Sequence, residues 1–124
     1  MTITEVEKNA SYLFYCRENY FNNIRPADQN SKNKLTFKKL IDIANLYFQN
    51  DRQDEFAGYL MEGQYFVQLW TAHLIIEFGK PNKELKKRCL EEIEKYSEST
   101  LSPEVAIQEK NWLKNYLTEF PLDL

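Results

Sequence analysis

The sequence predicts an all-α protein, a single domain over residues 1–124 built of about six stacked helices, and three observations carry that prediction. Glycine and proline are scarce, at 3 and 4 of 124 residues, while helix formers such as Leu, Lys and Glu run along the whole chain. That composition disfavours the turn-rich strands of a β-sandwich. Apolar residues recur at steps of three and four instead of alternating. The longest apolar stretch, Tyr65 to Phe78, is greasy on two sides of a helix: Val67, Trp70, Leu74 and Phe78 make one stripe, and Phe66, Leu69, His73 and Ile76 another. A helix with two apolar faces is a central, buried one, so the other helices are expected to pack around it. Gly63, Gly79 and Pro81 confine it to roughly four turns, short of the about 20 apolar residues that a membrane span requires.

Before the central helix, Thr4 followed by Glu7 fits a capping box for a first helix over about Glu5 to Asn23. Ile3, Val6, Ala10, Leu13 and Tyr20 give its apolar stripe, and Phe14, Tyr15 and Phe21 widen it enough to lie across two neighbours. Arg25-Pro26 ends it. Residues Arg25 to Lys34 hold hardly an apolar side chain and read as the longest and most mobile loop. Thr36 is placed to cap a second helix, Phe37 to Asn50, with Leu40, Ile43, Ala44, Tyr47 and Phe48 inward. A short third helix follows over Arg52 to Glu62.

After the central helix, Asn82 caps a fifth, Lys83 to Tyr96, whose Leu85, Cys89, Leu90, Ile93 and Tyr96 face inward while Lys87–Glu91 and Arg88–Glu92 form surface pairs. Its acids crowd the C-terminal end, against the preference of the helix dipole. Ser102-Pro103 opens the last helix, Pro103 to Glu119, with Val105, Ile107, Trp112, Leu113, Tyr116 and Leu117 available to pack, and Pro121 closes it. Shifted by 38 positions, Val67, Leu69, Ile75 and Phe78 fall on Val105, Ile107, Leu113 and Tyr116, a spacing that suits stacked helical hairpins.

The function classes narrow by charge and by missing chemistry. A net charge of −3 and a pI near 5.3 disfavour nucleic-acid binding, which needs a cationic surface, and favour a basic protein partner. The short run Lys32, Lys34, Lys38 and Lys39 has no interleaved aromatics with which to stack bases. His73 is the single histidine and sits in an apolar stripe, which suits a satisfied core or groove histidine better than a base, and a groove near it is the alternative place for an interface. There is no glycine-rich phosphate loop, no HExxH and no set of imidazoles, so no cofactor, metal, small-molecule ligand or catalytic residue is expected. Cys16 and Cys89 read as buried thiols without a CxxC. No secretory signal is visible and nothing suggests a membrane partner, so a cytoplasmic location is expected. The acidic stretch Asn50 to Glu62 sets Asp51, Asp54, Glu55 and Glu62 against Arg52 alone. With Tyr59 inside it and Tyr65 beside it, the candidate partner-binding residues are Asp54, Glu55, Tyr59, Glu62 and Tyr65, because carboxylates steer a basic partner and tyrosines anchor it.

Asn33-Lys34, the apolar helix ending near Tyr47, the Phe56 to Met61 helix and, above all, Val67-Gln68-Leu69-Trp70-Thr71-Ala72 carry a resemblance. From about Asn33 to Tyr116 the chain resembles a family of small bacterial proteins with a HEAT-like fold. Their last motif usually reads Val-Arg-Leu-Trp-Ala-Ala; here Gln68 replaces the arginine and Thr71 one alanine. The resemblance implies a HEAT-like right-handed stack (an α-α superhelix). It also implies a cytoplasmic immunity protein of the kind found beside polymorphic toxins, including those of contact-dependent growth inhibition systems. Such a protein binds and neutralises a cognate toxin domain, such as a nuclease, by masking its active surface. A HEAT-like protein–protein adaptor unrelated to toxins is the alternative.

Overall fold

Burial along the central segment sets the architecture. In the computed structural model, which describes residues 1–121 and 123, every residue from Val67 to Ile75 except Gln68 is buried, so this helix has neighbours on nearly all sides. The described residues form seven α-helices and no strand: α1 (Ile3–Lys8), α2 (Ser11–Phe21), α3 (Leu35–Gln49), α4 (Gln53–Ala57), α5 (Val67–Phe78), α6 (Lys83–Ser97) and α7 (Pro103–Glu119). Two short 3-10 turns, Gln29–Ser31 and Gly58–Met61, interrupt the connections. α2, α3, α4 and the second turn pack on one side of α5, and α6 packs between α5 and α7. Trp70, Tyr12, Phe56, Leu40, Ile43 and Leu69 are fully buried at the centre.

The expected first helix is two helices. Val6 and Tyr12 are both buried, yet six positions apart they would point about 120° away from each other on one continuous helix. A break resolves this: Ala10 takes a left-handed backbone, φ 49°, and restarts the chain as α2. The capping box also lies earlier than Thr4 and Glu7. Thr2 Oγ1 accepts from the Glu5 backbone N–H at 3.2 Å and donates to the Glu5 carboxylate at 3.0 Å. The second helix starts at Leu35 with Lys34 at its cap, so Thr36 lies inside it and caps nothing. The expected third helix is α4 running into the Gly58–Met61 turn.

α5 begins at Val67, two residues later than expected. Tyr65 and Phe66 occupy a tight turn closed by Val67 N–H donating to Gln64 C=O at 2.9 Å, with φ 52° and 58°. Bulky side chains rarely adopt that region. Aromatic packing offsets the cost: Tyr65 lies 5.5 Å from Tyr20 and 5.8 Å from Phe21, and Phe66 lies 5.1 Å from Tyr20 and 5.8 Å from Tyr96. At the other end, Gln53 clamps the chain as it leaves α5. Its side-chain carbonyl accepts from Lys80 N–H at 2.7 Å and its amide donates to Lys80 C=O at 3.2 Å. Gly79 passes so close that an added Cβ would stand 2.5 Å from Gln53 Oε1 and 2.9 Å from Ile75 C=O.

The two substituted positions of the Trp70 motif have their own partners. Gln68 donates to Leu60 C=O at 2.9 Å, which joins α5 to the Gly58–Met61 turn. Thr71 Oγ1 shares a buried hydrogen bond of 2.9 Å with the Tyr12 hydroxyl and donates to Val67 C=O at 2.7 Å, tying α5 to α2.

α6 and α7 follow the sequence more closely: the Asn82 side chain accepts from Leu85 N–H at 2.8 Å, and Pro103 stands in the first turn of α7. Two details differ. Glu92 pairs with Lys95 at 2.8 Å and not with Arg88, and Ile107 is 59% exposed, so the echo between Leu69 and Ile107 does not extend to packing. Cys16 on α2 and Cys89 on α6 are free, fully buried thiols. Burial pushes both thiol pKa values up, that of Cys89 to about 12.

Residues 25–34, expected as an open loop, are tied by their own polar groups. Asp28 accepts from Asn30 N–H at 3.1 Å and from the Ser31 hydroxyl at 3.0 Å, Ser31 is buried, and Arg25 reaches Glu104 of α7 at 3.0 Å. This segment therefore stands against α7 as a wall.

Candidate binding surfaces

The acidic candidates are surface residues of α4 and the turn that follows. Asp54 and Glu55 are exposed in the first turn of α4. Arg52 holds the Glu55 carboxylate at 2.8 Å and also pairs with Glu7 of α1. Glu55, Tyr59, Met61 and Glu62 rim a shallow depression of about 290 Å³, with Met61 80% exposed. Asp54 opens instead onto an adjoining groove with Phe48, Gly79 and Lys80. Tyr65 lines a third hollow with Tyr20, Tyr96 and Leu101. The fold thus brings Glu55, Tyr59 and Glu62 together and leaves Asp54 and Tyr65 on neighbouring surfaces. Tyr59 has a second task, since its ring packs 4.6 Å from Tyr12 and 5.8 Å from Phe56 against the core.

His73 points the other way, toward α7. Its Nε2 lies 2.6 Å from Glu109 Oε1, with both side chains 1% exposed, and its Nδ1 lies 3.4 Å from Glu77 Oε2. Trp112 closes over the ring edge-on at 4.5 Å. Burial alone would drive the imidazole toward neutrality, but the charge and hydrogen bond of Glu109, with the nearby Glu77 carboxylate, outweigh it and raise the pKa to about 9. At neutral pH the ring is therefore an imidazolium. With both nitrogens protonated it has no lone pair for accepting a proton or binding a metal, and it acts as a buried cation that joins α5 to α7. Among the described residues no group of three or more His, Cys, Asp or Glu side chains could hold a metal ion.

Outside this pair runs a groove of about 770 Å³ between the end of α5, the second half of α7 and the 27–32 segment. Along α7, Trp112 stacks on Tyr116 at 5.1 Å and 10°, and Tyr116 leans on Phe120 at 4.9 Å, which gives an aromatic row one helical turn per step. Phe78 of α5, 43% exposed, faces the same space. Asp28, Glu77 and Glu119 line it against Lys32 as the cation.

Sequence reasoning passed over Glu109, Asp28 and Glu119. A signal for Glu109 was present: Val105, Glu109, Trp112, Leu113 and Tyr116 follow one another at helical spacing, so a carboxylate stands within the inward stripe of α7 and needs a buried cation. The groove had no such signal, because its walls come from residues near 28, 77 and 116 that only the fold brings together. Comparisons of the chain with protein-family models, with curated proteins and with solved structures find no match.

Proposed function

We propose that the chain acts by binding a basic protein, and that it is an immunity protein which neutralises a cognate toxin domain by covering its active surface. The depression formed by Glu55, Tyr59, Met61 and Glu62 carries this reading: an exposed methionine and a tyrosine ring stand among carboxylates. Apolar anchors inside an acidic rim suit a cationic protein face, with the acids setting the rate of encounter and the anchors the lifetime of the complex. The net charge of −3 acts in the same direction. The HEAT-like superhelix and the cytoplasmic setting belong to this proposal through the resemblance around Trp70. No helix among the described residues is long and apolar enough to cross a membrane. The second reading, a helical adaptor that serves no toxin, uses the same surface.

The test takes the C-terminal domain of a large exported protein encoded beside this chain, expressed in cells with and without it. Restored growth and a tight complex by surface plasmon resonance support the immunity reading. Reversing Asp54 and Glu55 to Lys should slow association and weaken its salt dependence. Unrestored growth despite soluble co-expression would leave the adaptor reading in its place.

A further inference from the structure

We infer that the outward face of α2 is a dimer interface that seats a second copy of this chain, with the two α2 helices antiparallel about a two-fold axis. Phe14 and Phe21, 53% and 62% exposed, stand two helical turns apart, and Arg17 and Glu18 lie between them on the same side. Tyr12, Cys16 and Asn19, the buried residues of α2, occupy the opposite side, so the two phenylalanines stand away from the core. The aromatic width of this helix calls for two neighbours. α1, α3 and α5 cover its inner side and leave Phe14 and Phe21 largely open.

The spacing of the open face is its own complement. Turned antiparallel about a point between Arg17 and Glu18, a second α2 sets Phe14 against Phe21 of the other copy at both ends of the contact, and Arg17 against Glu18 twice at its centre. Adjacent in sequence, Arg17 and Glu18 do not face each other within one helix, and neither has an ion-pair partner among the described residues. Arg17 is already steadied at the edge of this face: its guanidinium lies 5.9 Å from the ring centres of both Phe21 and Tyr65. The left-handed turn at Tyr65 and Phe66 brings the Tyr65 ring to that edge, 5.8 Å from Phe21, so a backbone conformation that costs the chain energy completes the face. A partner of another sequence would have to match this pattern independently, whereas a second copy carries the match by symmetry. The two phenylalanines leave about 230 Å² of ring surface per copy, and the whole face is on the order of 500 Å². A total of about 1,000 Å² is the low end of specific interfaces, so the dimer is weak and reversible, with a dissociation constant on the order of 10–100 μM.

No residue of this face belongs to the depression of Glu55, Tyr59, Met61 and Glu62, so self-association and binding of a basic protein hold or fail separately. The test is sedimentation equilibrium of the full chain at low salt from about 5 to about 500 μM, with circular dichroism confirming that each variant is folded. The apparent mass is expected to rise with concentration from the 14.9 kDa of one chain toward twice that value. Phe14→Ser with Phe21→Ser should keep it at one chain throughout. Arg17→Glu and Glu18→Arg should each weaken self-association about tenfold, although the first makes the net charge of −3 more negative and the second less so. Mixed in equal amounts, these two variants should associate within about threefold of wild type, because two carboxylates on one copy then meet two guanidinium groups on the other. A wild type that keeps the mass of one chain at every concentration would overturn the proposal and leave the face to a different protein. Association untouched by the serine variant would place the contact elsewhere, and charge variants that fail to associate with each other would rule out the two-fold register; either result overturns it.

Discussion

The His73–Glu109 pair makes folding stability fall as pH rises above neutrality. A pKa of about 9 in the fold, against an ordinary value near 6.5, means that the folded state holds a proton which the unfolded chain releases on moving above neutrality. The contribution is fully present below about pH 6.5 and is lost as pH rises through 9. Its full size is about 3 kcal/mol, and about 2 kcal/mol of it should disappear between pH 6 and pH 8. That window lies below the ordinary thiol pKa near 8.5, so release of the Cys16 and Cys89 protons in the unfolded chain adds only about 0.3 kcal/mol to the loss by pH 8. The assay is urea unfolding at half-unit pH steps. Glu109→Gln should cost about 3–5 kcal/mol at pH 6 and flatten the profile, since it leaves a buried imidazole without its counter-charge. The double change His73→Leu, Glu109→Met should recover most of that loss and give a flat profile, because well-packed apolar side chains can replace a buried ion pair at little cost. A wild-type profile constant between pH 6 and 8, or a double variant no more stable than the single one, would refute the assignment of a charged buried pair.

Trp70→Ala should destabilise by about 3–5 kcal/mol in the same denaturation assay, because the ring is 1% exposed and lies 5.0 Å from Phe37; a loss under about 1 kcal/mol would contradict its place in the core. Gly79→Ala should cost about 1–3 kcal/mol, since the new Cβ would meet Gln53 Oε1 at 2.5 Å and the Ile75 carbonyl at 2.9 Å. Gly58→Ala, where nothing lies within 4 Å and φ is −57°, should instead gain about 0.4–1 kcal/mol; opposite signs at the two glycines are the result to look for. Tyr59→Ala should lower stability as well as partner affinity, because the ring leans on Tyr12 and Phe56, so its effect on dissociation is read at a temperature where circular dichroism shows the variant fully folded.

The helices legible in the sequence are those whose ends are set by one local residue. Asn82 bonds the start of α6, and Pro103 stands in the first turn of α7. The burial of α5 was legible too, because apolar residues on two faces of a helix leave no side for water. The breaks that escaped are tertiary in origin. Nothing near Ala10 announces a left-handed residue; the turn exists because Val6 and Tyr12 must both reach the core. Tyr65 and Phe66 read as helix, and only Tyr20, Phe21 and Tyr96, distant in sequence, hold them in a conformation they do not favour. Surface candidates fared according to their spacing. Glu55, Tyr59 and Glu62, three and four apart, stay together, whereas Asp54 and Tyr65 open onto other hollows.

The two buried cysteines supply the molecule with internal clocks. Cys16 sits in α2 on one side of α5 and Cys89 in α6 on the other, and neither thiol has any exposed surface. A thiol reagent can reach either one only when its helix lifts away, so the labelling rate of each measures the opening of its own end of the stack. Matching rates for the two, read by mass spectrometry of the labelled peptides, would mean that the helices part in one event. A faster rate at Cys16 would mean that α1 and α2 peel off first, leaving α5 to α7 closed around the His73–Glu109 pair.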